Sequence, residues 1–351
     1  MKKSIDKTKF FYKNKKILIT GGTGSLGKTL TSALLKFEPL EIRIFSRDEL
    51  KQSIMRDIYH DNDRITFRIG DIKDSHSLRE ALEGIDIVFH AAALKQVPTC
   101  EYFPFESVKT NIIGSQNVVD ECMYAGIKYL MAVSTDKACA PINTYGMSKG
   151  IMEQIVITAN NRDTLKNKIY SCIRYGNVIG SRGSAIPIFR ERILNKQPVL
   201  LTHQEMTRFF VQLSFAAKRI IEALPIAVGG EIFVLDIKAI KILVLIEAMR
   251  EELTPAQSLT IKNIGIRPGE KIHESLMSAE ESVRATVIPN YFILLPRVPM
   301  SRHKIYNNNK KSANLITLNS KDAKHFTKSE IKKILSEEGW LNREFMPEYN
   351  S

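Results

Sequence analysis

Short apolar runs recur through the first half of the chain, each closed by glycine or a small polar residue and followed by a stretch with helical spacing. The strand-length runs are 16–20, 42–45, 65–69, 85–90, 129–133 and 171–174. Helical patterns fill the intervals, among them 25–36 and a long one over 105–124. Strands that alternate with helices predict an α/β fold, a doubly wound parallel sheet covered on both faces. After Arg174 the rhythm breaks into loops rich in Gly, Arg and Pro, then into mixed helices and short strands. Residues 1–175 therefore form one predicted domain, to which later segments are expected to return, and 176–351 a smaller C-terminal region. Thr327-Lys328-Ser329-Glu330 fits a capping box that opens a last helix at 329–338.

Composition narrows the class. At 351 residues and 44% hydrophobic, the chain is long enough for two domains or one large α/β unit. The formal charge of +13 raises nucleic acid, anionic membrane and phosphorylated small molecules as partners. The cations are scattered, however, with only short runs such as Lys13-Asn14-Lys15-Lys16 and Lys310-Lys311. No basic helix or aromatic–basic alternation is present, so a lysine-rich solvated surface is expected and no nucleic acid. Cys100, Cys122, Cys139 and Cys172 form no CxxC, and their spacing suits neither zinc nor a disulfide framework. No metal is expected, and a reducing cytoplasm is. Residues 1–16 are basic without the apolar core of a signal peptide. Apolar stretches such as 242–246 fall far short of the ~20 residues a membrane span needs, so no integral membrane segment is expected.

Gly21-Gly22-Thr23-Gly24-Ser25-Leu26-Gly27 follows the first predicted strand directly and opens a helix. Gly22, Gly24 and Gly27 fit GxGxxG in the strand–turn–helix context that a dinucleotide fingerprint requires. The glycines let the backbone turn tightly and approach a pyrophosphate at the helix N-terminus. The first domain is thus Rossmann-like. At the end of the second strand an Asp or Glu would hold the ribose of NAD, but Ser46-Arg47-Asp48-Glu49-Leu50-Lys51 stands there. Arg47, with Lys51 one turn on, suits a 2′-phosphate, so NADP is expected over NAD. Asp48 doubles as an N-cap for the next helix. Asp71, after the third strand, is placed to meet an adenine amine. Ala91 and Ala92, after the fourth, offer small side chains where backbone must lie against a cofactor.

The fifth strand runs into Ser134-Thr135-Asp136-Lys137, with Tyr145 and Lys149 beyond. A Tyr four residues before a Lys shares a helix face with it. A nearby ammonium favours phenolate, so the Tyr can act as a base below its usual pKa of about 10. That equipment takes a proton off a sugar or alcohol hydroxyl. Asp136 and Lys137 add a second acid and a second base, which a simple alcohol dehydrogenase does not need. On an open surface such a pair is worth only ~0–1 kcal/mol. Directly after a strand's C-terminal end in a doubly wound sheet, it stands where ligands bind.

Taken in order, these segments resemble the extended short-chain dehydrogenases/reductases that act on nucleotide sugars. More narrowly, the chain resembles the UDP-N-acetylglucosamine 4,6-dehydratases of bacterial flagellin-glycan, capsule and O-antigen pathways, especially the C5-inverting type that begins pseudaminic acid synthesis. The matching segments continue with Ala91-Ala92-Ala93-Leu94-Lys95, Pro141-Ile142-Asn143, Arg174-Tyr175-Gly176-Asn177-Val178, Ser181-Arg182-Gly183-Ser184, Met206-Thr207-Arg208-Phe209 and Gly265-Ile266-Arg267-Pro268-Gly269-Glu270-Lys271, and cover about three quarters of the chain. Dehydratases of the dTDP-glucose type carry Thr-Asp-Glu where this chain has Thr135-Asp136-Lys137, and 4-epimerases carry small hydroxyl residues there. Gln96 departs from the His of the pseudaminic-type members and with Val97-Pro98 is closer to the capsule branch. That branch often has Met where this chain keeps Tyr145.

The resemblance implies NADP-dependent 4,6-dehydration of UDP-N-acetylglucosamine, with C5 inversion, in a cytoplasmic homo-oligomer (dimer or hexamer). It gives Thr135 the C4 hydroxyl to bind and Tyr145, supported by Lys149, the proton of that hydroxyl to remove. Lys137, as a neutral amine, would take the C5 hydrogen, and Asp136, protonated, would give a proton to the departing C6 hydroxyl. Lys95 would contact sugar or cofactor. Asn177, Arg182, Arg208 and Arg267 would meet the UDP diphosphate and Glu270 the uridine ribose. A UDP-N-acetylhexosamine 4-epimerase and a C5-retaining dehydratase are the alternatives. A non-enzymatic NADP-binding scaffold is disfavoured, because such proteins usually lose the Tyr or the Lys.

Overall fold

The strands alternate their side chains between two apolar layers, and this sets the architecture. In β1 (Lys16–Thr20), Leu18 packs into one buried cluster and Ile17 and Ile19 into another on the opposite face. A strand buried on both faces needs apolar residues throughout, which is why it reads as a continuous run. The computed structural model describes residues 2–60, 62–163, 167–180, 184–256, 258–306 and 317–344, and side chains of the first helix from Lys7 onward. The strands that follow are β2 (Glu41–Ser46), β3 (Ile65–Ile69), β4 (Ile87–His90), β5 (Tyr129–Val133), β6 (Ile169–Arg174), β7 (Asn177–Val178), β8 (Val199–Leu201), β9 (Thr207–Val211), β10 (Ile232–Leu235), β11 (Ala239–Lys241), β12 (Ile261–Asn263), β13 (Ser275–Met277), β14 (Ala285–Ile288), β15 (Tyr291–Leu294) and β16 (Leu318–Asn319).

The central sheet has nine strands in the order β14-β15-β10-β6-β5-β4-β1-β2-β3. Every neighbouring pair from β10 to β3 is parallel, and β15 and β14 add antiparallel at the edge. Helices Ser75–Leu82, Gly114–Tyr124 and Thr144–Ala159 cover one face. Helices Ser25–Leu35 and Leu213–Ala223 cover the other. The strand order reverses beside β1, the switch point at which such sheets bind ligands.

The C-terminal half contributes twice. β10, β14 and β15 extend the central sheet, while β7, β9 and β11 form a small separate sheet. Around the latter a third apolar cluster gathers Ile186, Phe189, Leu245, Met249, Ile331 and Trp340. The predicted helix at 105–124 begins as a turn at Pro104–Ser107, widens to π-type spacing over Val108–Ile113 and continues as Gly114–Tyr124. A helix the sequence pattern did not predict, Lys2–Tyr12, packs against the sheet through Tyr12, whose hydroxyl donates to the Ile221 carbonyl at 2.8 Å. The last helix is Lys328–Glu337, and the Thr327–Glu330 capping box is formed.

Candidate active site

The loops after β1, β2, β4, β5 and β6 open into a single cleft of about 1480 Å³ that the C-terminal region closes from the far side. Its cofactor end is built from close backbone approach. Gly21 has φ +67, and a Cβ there would stand 2.8 Å from the Ala92 nitrogen; one on Gly27 would stand 2.3 Å from the Gly22 oxygen. The backbone of Ala91 and Ala92 thus leaves no room for a side chain at Gly21, and both alanines line the cleft. Helix Ser25–Leu35 starts after Gly24 with no side-chain cap, and Thr23, Ser25 and Leu26 line the cleft beside it. An uncapped helix N-terminus under a glycine cradle fits a pyrophosphate.

At the end of β2, Ser46, Arg47 and Lys51 line the same cleft. Arg47 pairs with Asp71 at 3.4 Å, and Lys73 lies 3.6 Å from that carboxylate. Asp71 therefore stands behind Arg47. Asp48 caps the next helix by accepting from the Lys51 backbone nitrogen at 3.0 Å and also holds the Lys51 ammonium.

At the reacting end, Thr135 donates to Asp136 Oδ1 at 2.9 Å and Lys137 Nζ donates to the same oxygen at 3.1 Å. Tyr145 and Lys149 project from helix Thr144–Ala159, which Asn143 caps by accepting from the Gly146 nitrogen at 2.7 Å. Without cofactor or substrate, the resting charge states of Tyr145 and Lys137 differ from those their expected roles require. Burial pushes the Tyr145 phenol up to about 12, against the Lys137 ammonium and a hydrogen bond with Thr135, so it is not a ready phenolate. Nor is Lys137 neutral: burial opposes its charge, but the Asp136 and Glu274 carboxylates outweigh burial and raise its pKa. The amine brought toward neutrality is Lys149, which burial pushes down to about 8.

The substrate candidates divide. Lys95, Asn177, Arg208, Arg267 and Glu270 line the cleft, whereas Arg182 lies outside the described residues. Arg208 lies 3.4 Å from Glu270, whose other oxygen accepts from the Arg267 nitrogen at 3.4 Å. Sequence reasoning missed Glu274, which is 3% exposed, lines the cleft and lies 3.8 Å from Lys137 Nζ. It lies three residues beyond the matching segment Gly265–Lys271, outside every motif of the sequence. Arg174 and Glu153, a buried pair behind Lys149, were also missed.

This arrangement is that of a nucleotide-sugar enzyme of the dehydratase and epimerase type, and comparison with known proteins agrees. The chain belongs to the polysaccharide biosynthesis protein family, whose profile matches residues 17–296. It is 43% identical over 291 residues to a UDP-N-acetylglucosamine 4,6-dehydratase (inverting) of Campylobacter jejuni subsp. jejuni serotype O:23/36, covering 82% of this chain and 85% of that protein. It is 40% identical over 346 residues to a UDP-glucose 4-epimerase of Rickettsia bellii, covering 95% of this chain and 98% of that one. The solved structure of Pen from Bacillus thuringiensis superposes with a TM-score of 0.85 at 37% identity, over 93% of this chain and 99% of that one.

Proposed function

We propose that the protein catalyses NADP-dependent 4,6-dehydration of UDP-N-acetylglucosamine to a UDP-4-keto-6-deoxy sugar, with inversion at C5, for surface-glycan synthesis. The observation that carries the reading is the Asp136–Lys137 pair at 3.1 Å, with Asp136 buried and Lys137 lining the switch-point cleft beside Thr135 and Tyr145. An epimerase needs one base at C4, whereas dehydration needs a further acid and a further base. The 43% identity to an inverting enzyme supports inversion.

The Gly21–Gly27 turn would hold the cofactor pyrophosphate and Arg47 a 2′-phosphate, and bound NADP supplies the hydride acceptor at C4 and the hydride donor at C6. Thr135 holds the C4 hydroxyl, and Tyr145 removes its proton, with the Lys137 ammonium favouring the phenolate. Once C4 is a ketone, Lys137 removes the acidified C5 hydrogen, and Asp136 protonates the departing C6 oxygen. Residues 176–351 mainly bind the UDP-sugar, through Asn177, Arg208, Arg267 and Glu270. No described helix is long and apolar enough to cross a membrane. The free, buried cysteines suit a reducing cytoplasm, and exposed Tyr102, Phe103 and Phe105 suit a homo-oligomer.

The similarity to UDP-glucose 4-epimerases sustains a second reading, a UDP-sugar 4-epimerase. Turnover of UDP-N-acetylglucosamine in deuterated water separates the two. The dehydratase gives a 4-keto product lighter by one water, deuterated at C5, whose NMR couplings report inversion. An isomer of unchanged substrate mass, with activity surviving Lys137→Ala, would establish the epimerase instead.

A further inference from the structure

Lys137 lies between two carboxylates that are not equivalent. Asp136 Oδ1 accepts from both the Thr135 hydroxyl at 2.9 Å and the Lys137 ammonium at 3.1 Å. Two donors thus hold this one oxygen in place. Glu274 is 3% exposed, its Oε1 stands 3.8 Å from Lys137 Nζ and 4.0 Å from Arg208 Nε, and its Oε2 is buried with no hydrogen-bond partner among the described residues. A carboxylate so enclosed and so loosely paired gains by taking a proton. Burial first, and then the charge of Asp136, push the Glu274 carboxyl above its ordinary range.

A base at C5 must present a lone pair, yet the resting Lys137 is an ammonium. Its proton needs an acceptor inside the cleft. Glu274 is the second carboxylate at Nζ, 3.8 Å away against 3.1 Å for Asp136. Its backbone is fixed, since its N–H donates to Ser320 Oγ at 2.9 Å and its carbonyl accepts from the Ser320 N–H at 2.8 Å.

We propose that Glu274 is a positioning residue that acts through Lys137: its carboxylate receives the proton the lysine sheds, so that a neutral amine meets the C5 hydrogen. The inference rests on the dehydratase reading. In the transfer an N–H bond breaks and an O–H bond forms on Oε1, and ammonium–carboxylate becomes amine–carboxylic acid without change of net charge. The amine then bonds the C5 proton, and the C5–H electron pair passes into the enolate of the C4 ketone. No oxidant or further reactant is involved.

The test uses full-length protein with NADP and UDP-N-acetylglucosamine, comparing wild type, Glu274→Gln and Glu274→Asp. C5 exchange is followed by NMR in deuterated water, and C4 oxidation by the absorbance of the reduced cofactor. Wild type should show C5 exchange nearly flat with pH around neutrality. Glu274→Gln should keep C4 oxidation but lose C5 exchange by ~10²–10³-fold at about pH 7, in the range a positioned proton acceptor contributes. Its log rate should then climb about one unit per pH unit toward pH 9, because Lys137 must release its proton to solvent. Glu274→Asp should restore the flat profile. A Glu274→Gln enzyme with the wild-type pH profile overturns the proposal, as does equal loss of both steps in Gln and Asp variants, which marks a structural role. If wild type itself shows no C5 exchange and returns an isomer, the dehydratase reading has failed rather than the role of Glu274 within it.

Discussion

Arg174 donates from Nε and Nη2 to the two oxygens of Glu153, each at 2.6 Å, with both side chains almost wholly buried. Glu153 lies one turn beyond Lys149 and also accepts from the Ser134 hydroxyl at 2.6 Å. Arg174 reaches on to Glu281 at 2.8 Å and to the Leu276 carbonyl at 3.2 Å. One guanidinium thus ties β6, helix Thr144–Ala159, the end of β5 and the β13 segment that follows Glu274. Removing one member of a buried pair strands the other charge, which costs about 3–5 kcal/mol. Arg174→Met should lower the urea midpoint accordingly, and adding Glu153→Leu should recover part of the loss. A single-variant loss under about 1 kcal/mol would show that solvent reaches the pair.

His90 gives the fold an acid-sensitive point. Ser115 donates to the Asn111 carbonyl at 2.7 Å, so its oxygen accepts from His90 Nε2–H at 3.0 Å, and Nδ1 accepts from the Thr20 hydroxyl at 2.7 Å. The ring is therefore neutral, and burial, then Lys149, push its pKa down to about 3 from 6.5. Between those values the unfolded chain holds a proton that the folded chain refuses. His90 thus stabilises fully above about 6.5, and its contribution falls away as pH drops toward 3. Glu231, pushed up to about 7 mainly by burial, works in the opposite sense, so the informative quantity is a difference. Wild type should lose stability between pH 6 and 4 more steeply than His90→Gln, by up to about 1.4 kcal/mol per pH unit. Parallel unfolding curves would contradict the buried-neutral assignment.

Arg47 should decide between the two nicotinamide cofactors. Its guanidinium is half exposed at the cleft and pairs with Asp71 at 3.4 Å. A charge-assisted bond to a 2′-phosphate is worth about 1.5–3 kcal/mol. Arg47→Ala should therefore raise the Kd for NADP by ~10–100-fold and leave that for NAD nearly unchanged, as titration calorimetry can measure. An equal effect on both cofactors would mean that the Arg47–Asp71 pair shapes the loop rather than reading the phosphate.

The parts of the site legible in the sequence are those written locally. β1, β3 and β5 fall on their predicted residues: β1 and β5 because a strand buried on both faces is a continuous apolar run, and β3, a partly exposed edge strand, because Ile65, Phe67 and Ile69 alternate with polar residues. The glycine turn and the Tyr145/Lys149 spacing are local in the same sense. β4 starts at Ile87 rather than at 85, because the Asp86 carboxylate turns to accept from the Lys16 nitrogen at 2.9 Å. Helix Lys2–Tyr12 escaped because Tyr12 finds its burial against Ile221, far along the chain. Glu274 meets Lys137, and Glu281 meets Arg174, only after β13 has folded back across the cleft. The charge states of Tyr145 and Lys137 follow from that enclosure, which no spacing of residues encodes.

Gly146, directly after Tyr145, shows how closely helix Thr144–Ala159 is pressed onto the Asp136–Lys137 turn. A Cβ at this position would lie 2.1 Å from the Lys137 carbonyl oxygen, so the helix and the turn would have to part. Overpacking of this kind costs about 1–3 kcal/mol. A displacement of about 1 Å between reacting groups can cost ~10²-fold in rate. Gly150, one turn along the same helix, is the internal control: its Cβ would stand 3.6 Å from the Ala138 oxygen, an ordinary contact. Gly150→Ala should leave turnover intact and gain about 0.4–1 kcal/mol from the stiffer unfolded chain. Gly146→Ala should lose both stability and about two orders of magnitude in turnover, measured side by side by urea unfolding and by mass spectrometry of the product. If the two variants behave alike, helix Thr144–Ala159 and the turn tolerate separation, and the close approach at Gly146 does not set the geometry of Tyr145 and Lys137.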